Sequence, residues 1–498
     1  MKNHFYKVVL LFIVLLSSSC NKWLELEPQD GITRQEFWKT KEDVQAAAIG
    51  IYGSLLNEPL VYNLFTWGEL RADMISATLN TTTDESNIMT ANILSSNSLT
   101  SWRALYQTIN YCNTLIEFAP QVLKTDPTFK QADLDAYLAE AYAIRGLMYF
   151  YLLRTFRDVP LKLSATSSDA TLELLPKSSE TQVYNQIIKD LDFAALHAKT
   201  TYQNQDMDKG RVTKYTVYAI QADAYLWMND YEKCVAACDK IIGSNRFGLI
   251  PTFSQSSWFN TLFYNGNSNE SIFEFQFDSQ KLNPFHSMFV QSNRRFLASS
   301  VVMDEVYTVN STDETKYDYR GNRAALRASD GMIWKFSGAQ SGSDDIDPRP
   351  AADSYAHWIV YRYADILLLK AEALAWLNRG QEAIGLVNVI RERGKALESS
   401  ARNPDVTSAI DVSEYVLEER ARELAFEGKR WFDVLRNAKR NNYENLNLLL
   451  QMVIKNAPPQ SQQIIVNKFK DPNSHYLPIN DYELTTDKNL VQNPFYQK

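Results

Sequence analysis

The chain has little of what most enzyme and nucleic-acid sites are built from. It holds five His and four Cys in 498 residues. They are too few and too scattered for a metal centre, so no metal ligands and no cofactor are expected. Acidic residues outnumber basic ones, 59 to 51, and the net charge of −8 argues against nucleic acid as a partner. No His-Glu-x-x-His, no Gly-x-Ser-x-Gly and no glycine-rich phosphate loop occurs. The chain therefore reads as a non-enzyme, although carboxylate pairs of the glycosidase kind can be picked out of any acidic sequence. Long apolar runs are also missing. Val8 to Leu16 is one unbroken run of nine, too short to span a bilayer.

That run follows Lys2 and Lys7 and ends at Leu16-Ser17-Ser18-Ser19-Cys20. A charged start, a short apolar stretch and small residues make a signal peptide over 1–19. Small residues before Cys resemble a bacterial lipobox, with its usual Leu displaced by one position. Cys20 would then be the lipidated N-terminus of a chain tethered by lipid. A plain secretory leader with an incidental Cys is the alternative. Cleavage removes both lysines and takes the net charge from −8 to −10. The remaining Cys112, Cys234 and Cys238 are odd in number, which argues against a disulfide framework. Cys234 and Cys238 stand i, i+4 on one helix face, where they pack as small hydrophobes.

What is abundant is helical periodicity. In Tyr361 to Ala373 and beyond, Ala364, Leu367, Leu368, Ala371 and Ala375 fall on one helix face. Gly380 is expected to end that helix in the left-handed conformation. Ala383, Val387 and Ile390 begin a second helix, antiparallel to the first. Asp411 with Glu414 has capping-box spacing for a third. Along it, Glu418–Arg422 and Glu419–Arg422 are helical pairs expected to form a solvated salt-bridge face. Earlier in the chain, Thr40/Asp43 and Ser179/Gln182 cap helices, Leu134 to Phe156 is a long one, and Thr213 starts a helical pair turning at Asn229-Asp230.

Three helices carry similar octapeptides, at Arg145 to Leu152, Gln221 to Met228 and Lys370 to Leu377. In the last two a small residue recurs twelve positions on, at Ala236 and Gly385, a spacing expected to let paired helices approach closely. These look like degenerate tetratricopeptide repeats, scattered rather than stacked into one solenoid. Between the second and third, residues 247–356 are rich in Ser, Asn, Gly and aromatics. Phe273, Phe275 and Phe277 alternate with Glu274 and Gln276 as in a half-buried strand. Asn80 to Asn97 and Ser337 to Asp353 read as long polar loops, the kind that often carry function.

Several motifs in order resemble one family. They are the Leu-x-x-x-Pro lead-in after Cys20, Trp-x-x-Leu-Tyr-x-x-Ile from Trp102, Arg362-Tyr363-Ala364-Asp365 and Asn388 to Arg393. Phe426-Glu427-Gly428-Lys429-Arg430-Trp431-Phe432-Asp433 and Leu490-Val491-Gln492-Asn493-Pro494 complete the set. Together they are similar to the SusD/RagB family of outer-membrane nutrient-binding lipoproteins of Bacteroidetes. The resemblance implies a mainly α fold with tetratricopeptide-like helical pairs and a loop-rich subdomain containing a little β. It divides the mature chain into a half over 20–245 and a half over 246–498. It also implies a non-catalytic, cell-surface glycan-binding protein that delivers oligosaccharide to a SusC-like TonB-dependent β-barrel. A peptide ligand, or a repeat scaffold for protein partners, are the alternatives. Asn21-Lys22 follow Cys20 where surface lipoproteins of these bacteria often carry acidic residues, so the outer-membrane leaflet is left open.

Sugars offer C–H faces and hydroxyl rims, which suit aromatic platforms and amide, carboxylate or guanidinium partners. With 27 Tyr, 24 Phe and 10 Trp, the chain has a surplus beyond its core needs. The carbohydrate-binding candidates are Trp67, Arg71, Asp73 and Asn97 in the early loop. Trp258, Phe259, Tyr264 and Trp334 are those of the later region. For each Trp the alternative is a core position, and for Arg71 and Asp73 an internal ion pair. Trp227, Trp376 and Trp431 lie on repeat faces and are read as core.

Overall fold

The computed structural model describes residues 37–497 apart from 167–171, 291, 309, 311, 314, 342–344 and 456. The leader, Cys20 and the lead-in after it lie outside the described residues. The helices that matter below are α1 (Lys41–Leu55), α2 (Glu58–Glu69), α3 (Thr83–Met89), α4 (Arg103–Phe118), α5 (Gln131–Phe156), α6 (Glu180–His197), α7 (Lys214–Trp227) and α8 (Tyr231–Ile242). After the loop-rich insert come α9 (Tyr363–Trp376), α10 (Gly380–Gly394), α11 (Ala409–Glu423) and α12 (Arg430–Tyr443). Strands are few and short: β1 (Ile75–Ala77), β2 (Ser271–Phe275), β3 (Phe296–Ala298), β4 (Leu326–Arg327), β5 (Met332–Ile333), β6 (Gly338–Ser341), β7 (Asp345–Pro348) and β8 (Trp358–Arg362). They pair as four antiparallel two-stranded ribbons, β1–β3, β2–β8, β4–β5 and β6–β7. The fold is mainly α, with a little β, six of these eight strands lying between residues 243 and 357.

The helix starts follow local chemistry. Thr40 and Ser179 close capping boxes with Asp43 and Gln182, and Thr213 closes one with Thr216. Two boundaries differ from expectation. The cap of α11 is Ser408, whose side chain accepts from the Asp411 backbone N–H, so Asp411 is already inside the helix. Its carboxylate instead takes Arg402 and the Asp405 backbone N–H. Between α9 and α10 the left-handed residue is Asn378, at φ 59°. Gly380 opens α10, and glycine is needed there for space: a Cβ would sit 2.2 Å from the Val406 carbonyl oxygen.

The repeat pairs are not scattered in space. α5 packs on α6, α7 on α8 and α9 on α10. α6 also packs on α7, α8 on α9 and α10 on α11, so the pairs stack in chain order with residues 243–357 looped out between the second and third. Ala236 and Gly385 are exposed, and a Cβ on Gly385 would meet nothing within 4 Å. Close approach is made by the buried small residues Ala222, Ala224, Ala237, Ala371 and Ala383. Cys112, Cys234 and Cys238 are free and buried. One hydrophobic cluster runs from Trp38 to Ile479 and includes residues of both halves and of the insert. Strand β2 is buried on both faces rather than one, because Glu274 points inward to His357 at 2.9 Å.

The charged run on α11 is not a solvated face. Glu419 and Glu423 are fully buried, with Arg420 and Arg422 nearly so. Arg320 reaches Glu419 at 2.6 Å and Glu423 at 2.9 Å. Arg362 reaches Glu423 at 2.5 Å, Glu270 at 2.7 Å and Glu427 at 2.8 Å. Lys335 meets Glu427 at 2.8 Å. A second network continues into α12: Arg420 bonds Asp365 and Asp433, Arg436 bonds Asp433 and Glu372, and Arg440 bonds Glu372. Burial alone would raise the Glu372 pKa, but the two guanidinium groups outweigh it and hold the carboxyl down at about 2. Because that lies below the ordinary value of 4.5, the pair stabilises the fold fully above pH 4.5 and loses its contribution as pH falls toward 2.

Glu372→Gln would leave Arg440 buried without its carboxylate and Arg436 with Asp433 alone. It is expected to cost about 3–5 kcal/mol in urea unfolding and to flatten the acid limb of the stability curve between pH 4.5 and 2. An unchanged midpoint and an unchanged acid limb would show that the network carries no stability.

Candidate functional site

Seven of the eight sequence-derived candidates are interior, each for a legible reason. The Trp67 indole N–H donates to the Leu99 carbonyl at 2.7 Å, and its ring packs edge-on to Phe156. Arg71 stacks on Trp431, 4.2 Å from the ring centroid, and donates to the His475 carbonyl at 2.6 Å. Burial pulls its pKa down to about 9. Asp73 is held by the Arg430 guanidinium at 2.9 and 3.0 Å. So both charges are internal, though not paired with each other. Asn97 caps the 3-10 turn Ser98–Thr100 by accepting from the Leu99 N–H. Trp258, Phe259 and Trp334 lie in the insert's part of the core, where Trp258 and Phe259 pack on Phe263 and the Arg327 guanidinium covers Trp334. A loop-rich subdomain must build its own apolar filling, and a large aromatic ring contributes more buried area than any other side chain. Tyr264 alone is exposed, at 42 %, with the Arg349 guanidinium 4.3 Å from its ring centroid. These eight residues do not converge on one surface.

The two regions that contain them do meet. Strand β1 pairs with β3 in the register Ile75↔Ala298, Ser76↔Leu297 and Ala77↔Phe296. That ribbon carries the 78–101 segment to the Arg294-Arg295 turn. Thr78 and Thr81 hydroxyls donate to the Arg294 and Arg295 carbonyls. The segment is not a plain loop: Thr82 and Glu85 form a capping box that starts α3. Asp84 accepts from the Ser98 N–H at 2.9 Å and from its hydroxyl, closing the segment on itself.

Against this segment lies an open groove of about 650 Å3. Its walls are Tyr62 of α2, the 82–101 segment, Arg295, and the first turns of α4 with Arg103 and Gln107. Glu85, 2 % exposed, organises it. Its carboxylate accepts from Arg295 at 2.7 Å, from the Tyr62 hydroxyl and from the Thr82 N–H at 2.7 Å. The Arg295 guanidinium lies over the Tyr62 ring. Burial, then the adjacent carboxylate, push the Tyr62 phenol well above its ordinary pKa, so it stays protonated. Thr82, Ser98, Arg103 and Gln107 are exposed at the rim. The groove thus offers hydroxyl, amide and guanidinium donors around one half-buried aromatic ring. None of these residues was picked out from the sequence. The Thr82/Glu85 spacing was the available signal, since a cap inside a polar loop marks ordered structure.

The fold is a stacked helical scaffold with a polar groove between α2, the 82–101 segment, α4 and Arg295 of the insert. Two family models match the chain: that of the SusD family over residues 199–496, and one described as starch-binding associating with outer membrane over residues 22–226. The chain belongs to the SusD family. It is 29 % identical over 483 residues to SusD-like protein P38 of Formosa agariphila, covering 87 % of this chain and 92 % of that one. SusD-like protein P2 of the same organism is 25 % identical over 475 residues, covering 86 % of this chain and 90 % of the relative. Among solved structures, a SusD superfamily protein from Bacteroides vulgatus superposes with a TM-score of 0.76 at 21 % identity, covering 92 % of this chain and all of the other. NanU of B. fragilis gives 0.69 at 21 % identity, covering 95 % of this chain and all of the other. As a member of this family the chain is a binding protein and not an enzyme, of a class associated with the outer membrane. No helix among the described residues is long and apolar enough to cross a membrane.

Glu85→Gln removes the charge that holds Arg295 and Tyr62. It is expected to speed hydrogen exchange across 78–101 and to lower stability by ~1–3 kcal/mol. Unchanged exchange there would show that Glu85 does not organise the groove. Trp258→Ala is expected to cost about 3–5 kcal/mol as a core truncation, read as a fall in Tm. A fully stable variant would return Trp258 to the list of surface platforms.

Proposed function

We propose that this protein is a lipid-anchored glycan-binding component of an outer-membrane uptake system. The observation that carries the reading is the groove at Tyr62, Glu85 and Arg295, where β1–β3 joins two segments more than two hundred residues apart. A planar ring with hydroxyl, amide and guanidinium groups at its margin matches the mixed apolar and polar surface of a sugar. Its volume is within the range of ~300–1,000 Å3 usual for small-ligand sites. The description of the matching family model as starch-binding and outer-membrane-associated supports the same ligand class and location. In this reading Cys20 carries the lipid, the protein faces the cell exterior, and captured oligosaccharide passes to a SusC-like TonB-dependent β-barrel.

The test is affinity electrophoresis of the mature protein, with Cys20 replaced by Ser, against amylopectin, arabinoxylan, mixed-linkage β-glucan, polygalacturonan, alginate and chondroitin sulfate. Retention on at least one is expected. The double variant Arg103→Ala with Gln107→Ala is expected to weaken that retention at least tenfold, about 1.4 kcal/mol, with Tm unchanged. No retention on any of the six, with binding of an unstructured peptide mixture instead, would overturn the glycan reading.

A further inference from the structure

The groove does not end at α4. A second trough of about 620 Å3 lies on the other side of that helix's first turns, and Arg103 and Gln107 line both. Its walls come from α4, from the segment around Leu172 to Leu175 and from the C-terminal turn Asp481–Thr486. Tyr482, 65 % exposed, and Leu172, 55 % exposed, stand at its edge. The 97–101 turn that walls the first trough is tied to the second, because Asn480 donates to the Asn97 carbonyl and to the Thr100 hydroxyl. The two troughs therefore adjoin and are tied together by these hydrogen bonds.

The lining is also unbalanced in charge. Glu58, Asp84, Glu85, Glu173, Glu483 and Asp487 contribute six carboxylates, against the three cations Arg103, Lys162 and Arg295. Arg295 is bound to Glu85, and Lys162 to Glu173. Among the described lining residues only Arg103 is a cation without a carboxylate ion pair. A sulfated or uronate-rich chain laid along this surface would meet unneutralised carboxylates of like sign, a cost with no matching set of cations to offset it. An uncharged chain meets no such cost and finds hydroxyl and carboxylate acceptors together with the Tyr482 face.

We propose that the two troughs form one extended binding surface for an uncharged glycan, with Tyr482 as a platform of the distal subsite. This rests on the glycan reading above and adds the ligand's charge class and its length. For the retained polysaccharide, isothermal titration with its oligosaccharides of increasing length is the test. Affinity is expected to rise at least tenfold from the shortest binding oligomer to one that spans both troughs. Tyr482→Ala should remove that gain while leaving the short oligomer unchanged. The anionic glycans should bind at least tenfold more weakly than the neutral one at low salt. Adding salt should narrow that gap, since like-charge repulsion is screened. Retention that is sensitive to Arg103→Ala with Gln107→Ala, but shows no length dependence and no effect of Tyr482→Ala, would leave the glycan reading standing and overturn the extended surface. Binding of alginate or chondroitin sulfate as tight as that of a neutral glycan would overturn the charge class. Absence of all glycan binding would take both down together.

Discussion

The seating of the loop-rich insert on the helical stack depends on charges that face no solvent. Arg362 at the end of β8 is the pivot. It joins Glu270 beside β2 to Glu423 of α11 and Glu427 of the following turn. Arg320 and Lys335 come from the insert and end on the same glutamates. A buried ion is tolerated only with its partner in reach, since an uncompensated charge costs several kcal/mol. The insert is thus restrained to one seating on the helical stack, because any other would part Arg320 and Lys335 from these glutamates. Apolar packing could hold the same surfaces together, but it is non-directional and would not fix the seating so narrowly.

The same economy of space governs the approach of α2 to the turn after α11. A Cβ on Gly68 would lie 1.9 Å from the Gly428 carbonyl oxygen. Glu69 accepts from the Gly428 and Lys429 backbone N–H groups, at 2.8 and 3.2 Å. Burial raises its pKa to about 8. The α2 helix that carries Tyr62 into the groove is in this way anchored at its far end to the ion network. The rigid helical stack, the seated insert and the β1–β3 ribbon then act in series. The first fixes α2 and α4, the second fixes Arg294-Arg295, and the third draws the 78–101 segment between them.

Much of the scaffold is legible without coordinates. Helix caps at Thr40, Ser179 and Thr213 are local, since the side chain that accepts and the N–H that donates lie within three residues. Helical pairs follow from apolar spacing, and the family resemblance rests on motifs spread along the whole chain. The stacking of those pairs was not legible, because a 115-residue insertion, 243–357, separates helices that pack directly. The candidate site was half legible. The early polar segment and the later aromatic region do come together. The particular residues named in them, except Tyr264, turned out to be the filling and the ties of the interior.

Periodicity and capping thus determined that the fold is mainly helical and where several helices start, since each depends on neighbours a few residues away along the chain, while the kind of ligand surface to look for came from the family resemblance. Tertiary structure alone decided which charges are buried and which aromatic rings are reachable. Glu418 and Glu423 are both glutamates of one charged run, yet Glu423 meets Arg320 and Arg362 in the core while Glu418 stays partly in solvent. Trp67 and Tyr482 both sit in polar stretches, yet only Tyr482 is left uncovered. Burial is set by what the rest of the chain lays over a residue, and that covering comes from segments tens to hundreds of positions away.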